Sequence, residues 1–482
     1  IGRFQELSSK YAESSYRAQA LFELGEIAQE EGKYDVAIKH FNETVAKYRT
    51  GDFGPLALYG LGAAYYAKED YANSLQQLNI LVSANPTAPL LGQARYLRGL
   101  TYQRLKQFPA AIADFLYFIS TKPVGDTLWD AKYALALCHV GAMQTDPAIA
   151  VLKELQTGQP KYKFADKVLY ELGHAHLAKM LPMEASTTFR LLAETHKTSL
   201  LVAESWFHVG QFHASLAAKA TEPAKKTPSF QSADQAFTAA LASKPDPELH
   251  EKLLYRLSDV RFQLDNYPGA TQLLTTQISM FPDGALVDPA RFLAAECYFR
   301  QDDFPKALPL YTVVASRKTE RYHAQALYRA GTCAANLKQW EPSRVHFSSL
   351  ISTFPKFEQI QEARYGLAWS HQQLKQFPQA RSLYEQITRE TETITAAKAR
   401  FMVGELDFGD AKYEVAIEHF LSVAVGYPFP EWKALGHFEA ARCFIQLKQN
   451  DKAIASLETI IKDHAEHPKA KDAVKLLTEL KK

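Results

Sequence analysis

Residues Ala18–Tyr48 read AQALFELGEIAQEEGKYDVAIKHFNETVAKY. Leu21, Leu24, Gly25 and Ala28 fall at helical spacing, Gly32-Lys33-Tyr34 breaks the pattern, and Ala37, Phe41 and Thr44 share one face of the segment after the break. The stretch therefore predicts two helices joined by a tight turn. Such a pair cannot bury both of its apolar faces by itself, so it needs stacked neighbours.

The rest of the chain supplies them. With Gly25 at position 8 of its unit, a small residue recurs there as Gly62, Gly99, Ala136, Gly173, Gly210, Ser258, Ala295, Gly331, Ala368, Gly404 and Ala441. Position 20 is Ala or Ser in every unit, from Ala37 and Ser74 through Ala307 and Ser343 to Ala453. Position 24 is always large: Phe41, Leu78, Phe115, Leu152, Phe189, Phe237, Leu274, Tyr311, Phe347, Tyr384, Phe420 and Leu457. Small residues at 8 and 20 let helices approach, and the large one at 24 fills the space between them. Aromatic residues such as Tyr34, Tyr71, Phe304 and Phe377 precede the second helix and are expected to anchor the turn; Pro109, Pro268, Pro305 and Pro378 open that helix, where a missing N–H costs nothing. Pro86, Pro123, Pro160, Pro245, Pro282, Pro355 and Pro428 mark the stop after it.

This pattern, repeated twelve times, resembles the tetratricopeptide repeat family over essentially the whole chain. The family's period is about 34 residues, whereas the step here is 37, occasionally 36. The longer unit, with its FP or YP stop at Phe281-Pro282, Phe354-Pro355 and Tyr427-Pro428, is similar to bacterial envelope members: outer-membrane assembly lipoproteins and Tol-associated periplasmic coordinators. The resemblance implies an all-α, right-handed α-α solenoid of twelve repeats. Residues 1–216 form the first part of the array, 217–231 an insertion in repeat six, 232–468 the second part, and 469–482 a capping helix. The insertion, near AKATEPAKKTPSF, reads either as a protruding loop or as an extension of the two helices. Residues 4–11, FQELSSKY, match the tail of a second helix, so the array is expected to begin upstream of Ile1.

Composition excludes several functions. The 55 basic and 53 acidic side chains leave a net charge of +2, no electrostatic footprint for nucleic acid. The uncharged run Leu56–Ala67 is too short to span a bilayer. No signal-peptide or lipidation pattern is found, so the sequence is expected to be a mature form or a fragment. Cys138, Cys297, Cys333 and Cys443 all take position 10, which elsewhere holds small or apolar residues, and are expected to be buried core thiols. His139, His176 and His213 all take position 11, but stacked helices stand about 8–10 Å apart, too far for one ion. No metal or cofactor is expected. Asp259 and Glu296, both at position 9, are the carboxylate pair a helical-solenoid enzyme acting on glycans would use; a solvated polar face is the simpler reading.

One recurrence remains. Position 5 is aromatic in every unit: Phe22, Tyr59, Tyr96, Tyr133, Tyr170, Phe207, Tyr255, Phe292, Tyr328, Tyr365, Phe401 and Phe438. In the resembled family the first helices line a concave groove and position 5 faces into it. The resemblance thus implies that Tyr59, Tyr96, Tyr133, Tyr170, Phe207, Tyr255, Phe292, Tyr328, Tyr365 and Phe401 contact a partner. The alternative is that the rings only stiffen the array. The family's carboxylate clamp, with Lys and Asn at positions 5 and 9, is not carried over. The expectation is a non-catalytic scaffold for a peptide or helix of a protein partner, in a periplasmic or outer-membrane complex; the rivals are a cytoplasmic adaptor and the glycan-acting enzyme. The oligomeric state stays open.

Overall fold

The computed structural model describes residues 1–84, 87–318 and 321–482. These contain 26 helices and no strand. Twelve antiparallel pairs run from Arg17–Glu30 with Tyr34–Tyr48 to Pro430–Gln446 with Asn450–Asp463, preceded by Gly2–Lys10 and followed by Lys469–Leu480. The chain forms two compact units, Ile1–Leu249 and His250–Lys482. Each is a stack of helix pairs: successive helices pack on one another from Gly2–Lys10 to Pro223–Ala242 in the first and from Tyr267–Met280 to Lys469–Leu480 in the second, so each is an all-α solenoid segment.

The register follows the sizes of three side chains. Phe41, Phe115, Phe189, Phe237, Tyr311, Tyr384 and Phe420 are among the largest fully buried residues, and all stand at position 24. Position 8 of the same repeat lies directly under that ring. A Cβ on Gly62, Gly173 or Gly210 would come within 2.7, 2.6 or 2.5 Å of Leu78, Phe189 or Phe237. The small residue there is a steric requirement of the ring's position.

Position 20 faces position 10 of the next repeat, and the two change together. Where position 20 is serine, its hydroxyl donates to the position-8 carbonyl and meets a hydroxyl across the interface: Ser74 bonds Gly62 O (2.8 Å) beside Thr101 (3.3 Å), and Ser343 bonds Gly331 O (3.0 Å) beside Ser370 (2.8 Å). Where position 20 is alanine, as at Ala111, Ala270, Ala307 and Ala416, the partner in the same apolar cluster is Cys138, Cys297, Cys333 or Cys443. The four thiols are free, fully buried and pushed up to about 12 by that burial.

In eleven repeats the turn is closed by a residue at positive φ, Gly32 in the first and Glu69, Lys106, Met143, Met180, Asp265, Asp302, Lys338, Lys375, Ala411 and Lys448 in the others. The next N–H reaches back five residues, as in Asp70 N to Tyr65 O (2.9 Å), which satisfies a terminal carbonyl. Four of the expected aromatic anchors, Tyr71, Tyr267, Phe304 and Tyr413, meet a ring at position 12, with Tyr71 on Tyr66 and Phe304 on Phe299 both at 5.5 Å. Phe377 has no such ring: position 12 of its repeat is Gln372, which accepts the Tyr384 hydroxyl, and Phe377 is 48% exposed. Pro123, Pro160, Pro245, Pro282, Pro355 and Pro428 follow second helices; Pro86 lies outside the described residues.

Repeat six is built differently. Its helices, Val202–Lys219 and Pro223–Ala242, are the longest pair, and Ala220 between them is extended. Residues 217–231 fall in the end of one helix and the first half of the other, so of the two readings, loop or extension, the helices extend. Pro223 opens the second helix, Pro228 lies inside it, and residues 221–228 are all exposed.

Candidate functional site

Eleven of the twelve position-5 rings are half-buried and Phe438 is buried. Each ring leans on the core: Tyr96 on Phe115 (6.0 Å), Tyr170 on Phe189 (6.1 Å), Phe207 on Phe237 (5.8 Å), Tyr328 on Phe347 (6.1 Å), Tyr365 on Tyr384 (5.5 Å) and Phe401 on Phe420 (5.1 Å). Tyr133 packs instead on Tyr162 and Phe164, and Phe292 also stacks on Tyr322 at 4.9 Å. Burial pushes the hydroxyls of Tyr96, Tyr133 and Tyr365 up to about 12, and those of Tyr59, Tyr170, Tyr255 and Tyr328 upward as well. Phe438 apart, the rings are thus held by the core and keep part of their surface exposed.

In the second unit that exposed surface borders a space. A hollow of about 300 Å³ lies among the first helices of repeats nine (His323–Asn336), ten (Ile360–Gln373) and eleven (Ile394–Gly409). Tyr328 and Tyr365 line it together with Phe347, Trp369, Glu362 and Lys398. An apolar wall with a few charged groups at its edge is what a peptide or helix side chain needs.

The histidines of position 11 each have a local bond. His139 Nδ1 meets Gln144 Oε1 (2.7 Å), His176 Nδ1 meets Thr188 Oγ1 (3.3 Å), and His213 Nε2 meets Arg190 Nη2 (2.9 Å). Glu296 accepts from the Tyr311 hydroxyl and from Arg329 at 2.9 and 3.3 Å, so it is an ion-paired structural carboxylate. Asp259 is raised by burial against the pull of Arg256 and a bond from Gln263.

A different trio does converge. His174, on the first helix of repeat five (Ala165–Ala178), lies beside Glu204 and His208 on the first helix of repeat six, with one donor atom from each within 4.8 Å of the others. The two imidazoles stand edge to face at 5.0 Å, and His208 lies flat on Phe189 at 4.5 Å and 17°. Burial lowers both; His208 falls to about 4, helped by His174 and opposed by Glu204. The repeat register missed this group because it sets like positions against like. The trio joins position 9 of one repeat to positions 2 and 6 of the next, a relation visible only once neighbouring first helices are laid side by side.

A tetratricopeptide repeat family model matches residues 325–356, 362–390 and 437–467, which are repeats nine, ten and twelve. The repeats are of the tetratricopeptide kind. Residues 14–121, spanning repeats one to three, match the YfiO family model, described as an outer membrane lipoprotein. No curated protein matches the chain. Similar solved structures include the C-terminal part of a tetratricopeptide repeat-containing protein of Cytophaga hutchinsonii (15% identity, 56% of this chain and 98% of that one, TM-score 0.44). Others are MamA from residue 41 onward of Desulfovibrio magneticus RS-1 (19%, 38% and 96%, TM-score 0.33) and yeast Tom70 (14%, 92% and 97%, TM-score 0.31). No helix of the described residues is long and apolar enough to cross a membrane.

Proposed function

We propose that the chain is a non-catalytic scaffold that holds a peptide segment or helix of a protein partner against its position-5 rings, within a bacterial cell-envelope complex. The hollow beside Tyr328 and Tyr365 carries this reading. Its rings are pre-positioned by Phe347 and Tyr384, so they lose little entropy on binding. The match of residues 14–121 to an outer membrane lipoprotein family supports a periplasmic or outer-membrane-associated place over a cytoplasmic one. Catalysis forms no part of the reading: Glu296 is neutralised by Arg329, and the thiols are protonated and sealed in the core.

The test has two parts. Fractionation with an antibody to the native chain locates it; a purely cytosolic signal overturns the envelope placement and favours the adaptor. A partner captured from the native fraction is then titrated against Tyr328→Ala and Tyr365→Ala. Each should weaken binding by about 1–2 kcal/mol, with little dependence on salt because the hollow is mostly apolar. If both variants stay folded and bind as the parent does, the rings belong only to the core and the groove reading is wrong.

A further inference from the structure

His174, Glu204 and His208 have no place in the scaffold reading, and two observations set them apart. Among the described residues this is the one place where three His, Cys, Asp or Glu donors converge. In addition, the Nε2 atoms of both histidines are buried and have no hydrogen-bond partner in the protein. One buried unpaired imidazole nitrogen is a packing cost; two, in rings 5.0 Å apart and beside a carboxylate, call for a physical reason.

We propose that these residues form a binding site for a zinc-class divalent ion that ties the first helix of repeat five to that of repeat six. Two neutral imidazoles and a carboxylate are the borderline nitrogen and oxygen donors that zinc takes. Their spacing suits it. His208 Nε2 and Glu204 Oε1 are 3.9 Å apart, and donors about a tetrahedral zinc stand about 3.3 Å from one another. Side-chain rotation closes that difference.

The surroundings complete the arrangement. Tyr170 lies close enough to Glu204 that the carboxylate, after burial, pushes its hydroxyl upward, so the ring lines the site from the outside. Phe189 fixes the plane of His208 by stacking and touches His174 edge-on at 5.2 Å. Glu204 is 44% exposed and His208 18%, which gives the ion a way in from solvent. Three protein donors leave one coordination position for water or for a side chain brought by another molecule.

The test uses the untagged chain, stripped with a chelator and titrated with zinc against a chromogenic competitor, with cobalt as the spectroscopic probe. The expected result is one ion per chain, a cobalt spectrum of nitrogen and oxygen ligation without thiolate bands, and a raised melting temperature. Glu204→Gln changes a half-exposed side chain and should fold normally. It and His174→Asn should each weaken zinc by more than the roughly 10–100-fold that loss of an outer contact costs, and should abolish the melting shift. His213→Asn and His139→Asn should leave binding unchanged. Absence of stoichiometric zinc on the parent chain overturns the proposal. So does zinc that Glu204→Gln and His174→Asn both retain, or zinc that His213→Asn loses equally.

Discussion

The junction between repeats one and two and the junction between repeats five and six are built on the same ring and solve its second face in opposite ways. In both, a phenylalanine at position 24 is fully buried, Phe41 in one and Phe189 in the other, and in both a glycine lies under it from its own repeat. At the first junction the next helix offers Gly60, where a Cβ would stand 2.6 Å from the Phe41 ring. At the second it offers His208, whose imidazole is stacked on Phe189. Gly366 against Phe347, at 2.5 Å, repeats the first solution in the other unit. Position 6 is therefore where a repeat chooses between closing on its neighbour by backbone and standing off by the thickness of a ring. At repeat six the second choice sets an imidazole between first helices, and the histidine cluster is built around it.

The largest effect expected from breaking this comparison comes from the ring itself. Phe41→Ala removes a side chain enclosed by two glycines that cannot move in to fill the space, so denaturant melts should show a loss of about 3–5 kcal/mol. A loss below about 1 kcal/mol would mean that the helices collapse onto the cavity, and that the close approach at Gly60 is not set by the ring.

Next comes the exchange of one solution for the other. Gly60→His places the residue of repeat six in the slot of repeat two. With backbone already against Phe41, the imidazole has nowhere to stack, and overpacking should cost about 1–3 kcal/mol despite the better helix propensity of His over Gly. A neutral result would show that position 6 adapts freely and that the stand-off at repeat six is a consequence of His208, not of the longer helices around it.

The register was legible from the sequence for the same reason that these substitutions should hurt. Gly25, Ala37 and Phe41 recur because each copy meets the same steric limit, so one-dimensional spacing records a three-dimensional contact. The thiols were legible too, since position 10 is small or apolar wherever it lacks cysteine. Two things were not. Phe377 carries the anchoring pattern but lacks a ring to meet, because the anchor depends on position 12 of its own repeat, where Gln372 stands. The group of His174, Glu204 and His208 occurs once, so no recurrence marks it. The position-5 rings were visible as a pattern, yet the pattern could not tell a core ring from a surface ring. Most of them are both at once, resting on position 24, as Tyr328 does on Phe347, and still half-exposed.

The smallest expected effect concerns the turns and again sets repeat six apart. Eleven repeats end their first helix with a left-handed residue, and only the first uses glycine there. Met143, at φ 57° and 90% exposed, makes little contact that its removal would lose, while its Cβ is strained against the backbone. Met143→Gly relieves that strain, and the greater freedom of glycine in the unfolded chain offsets part of the gain, so the net stabilisation should be about 0.5–1 kcal/mol. Repeat six is the control. Ala220, with φ −73° and ψ 125°, carries no such strain. Ala220→Gly can therefore act only by widening the unfolded ensemble, and should lower stability by about 0.5–1 kcal/mol. Opposite signs in the denaturant midpoints of the two variants would separate the tight turns from the one that the long helices of repeat six replace; equal signs would mean that glycine acts only through the unfolded chain and that left-handed strain at Met143 is negligible.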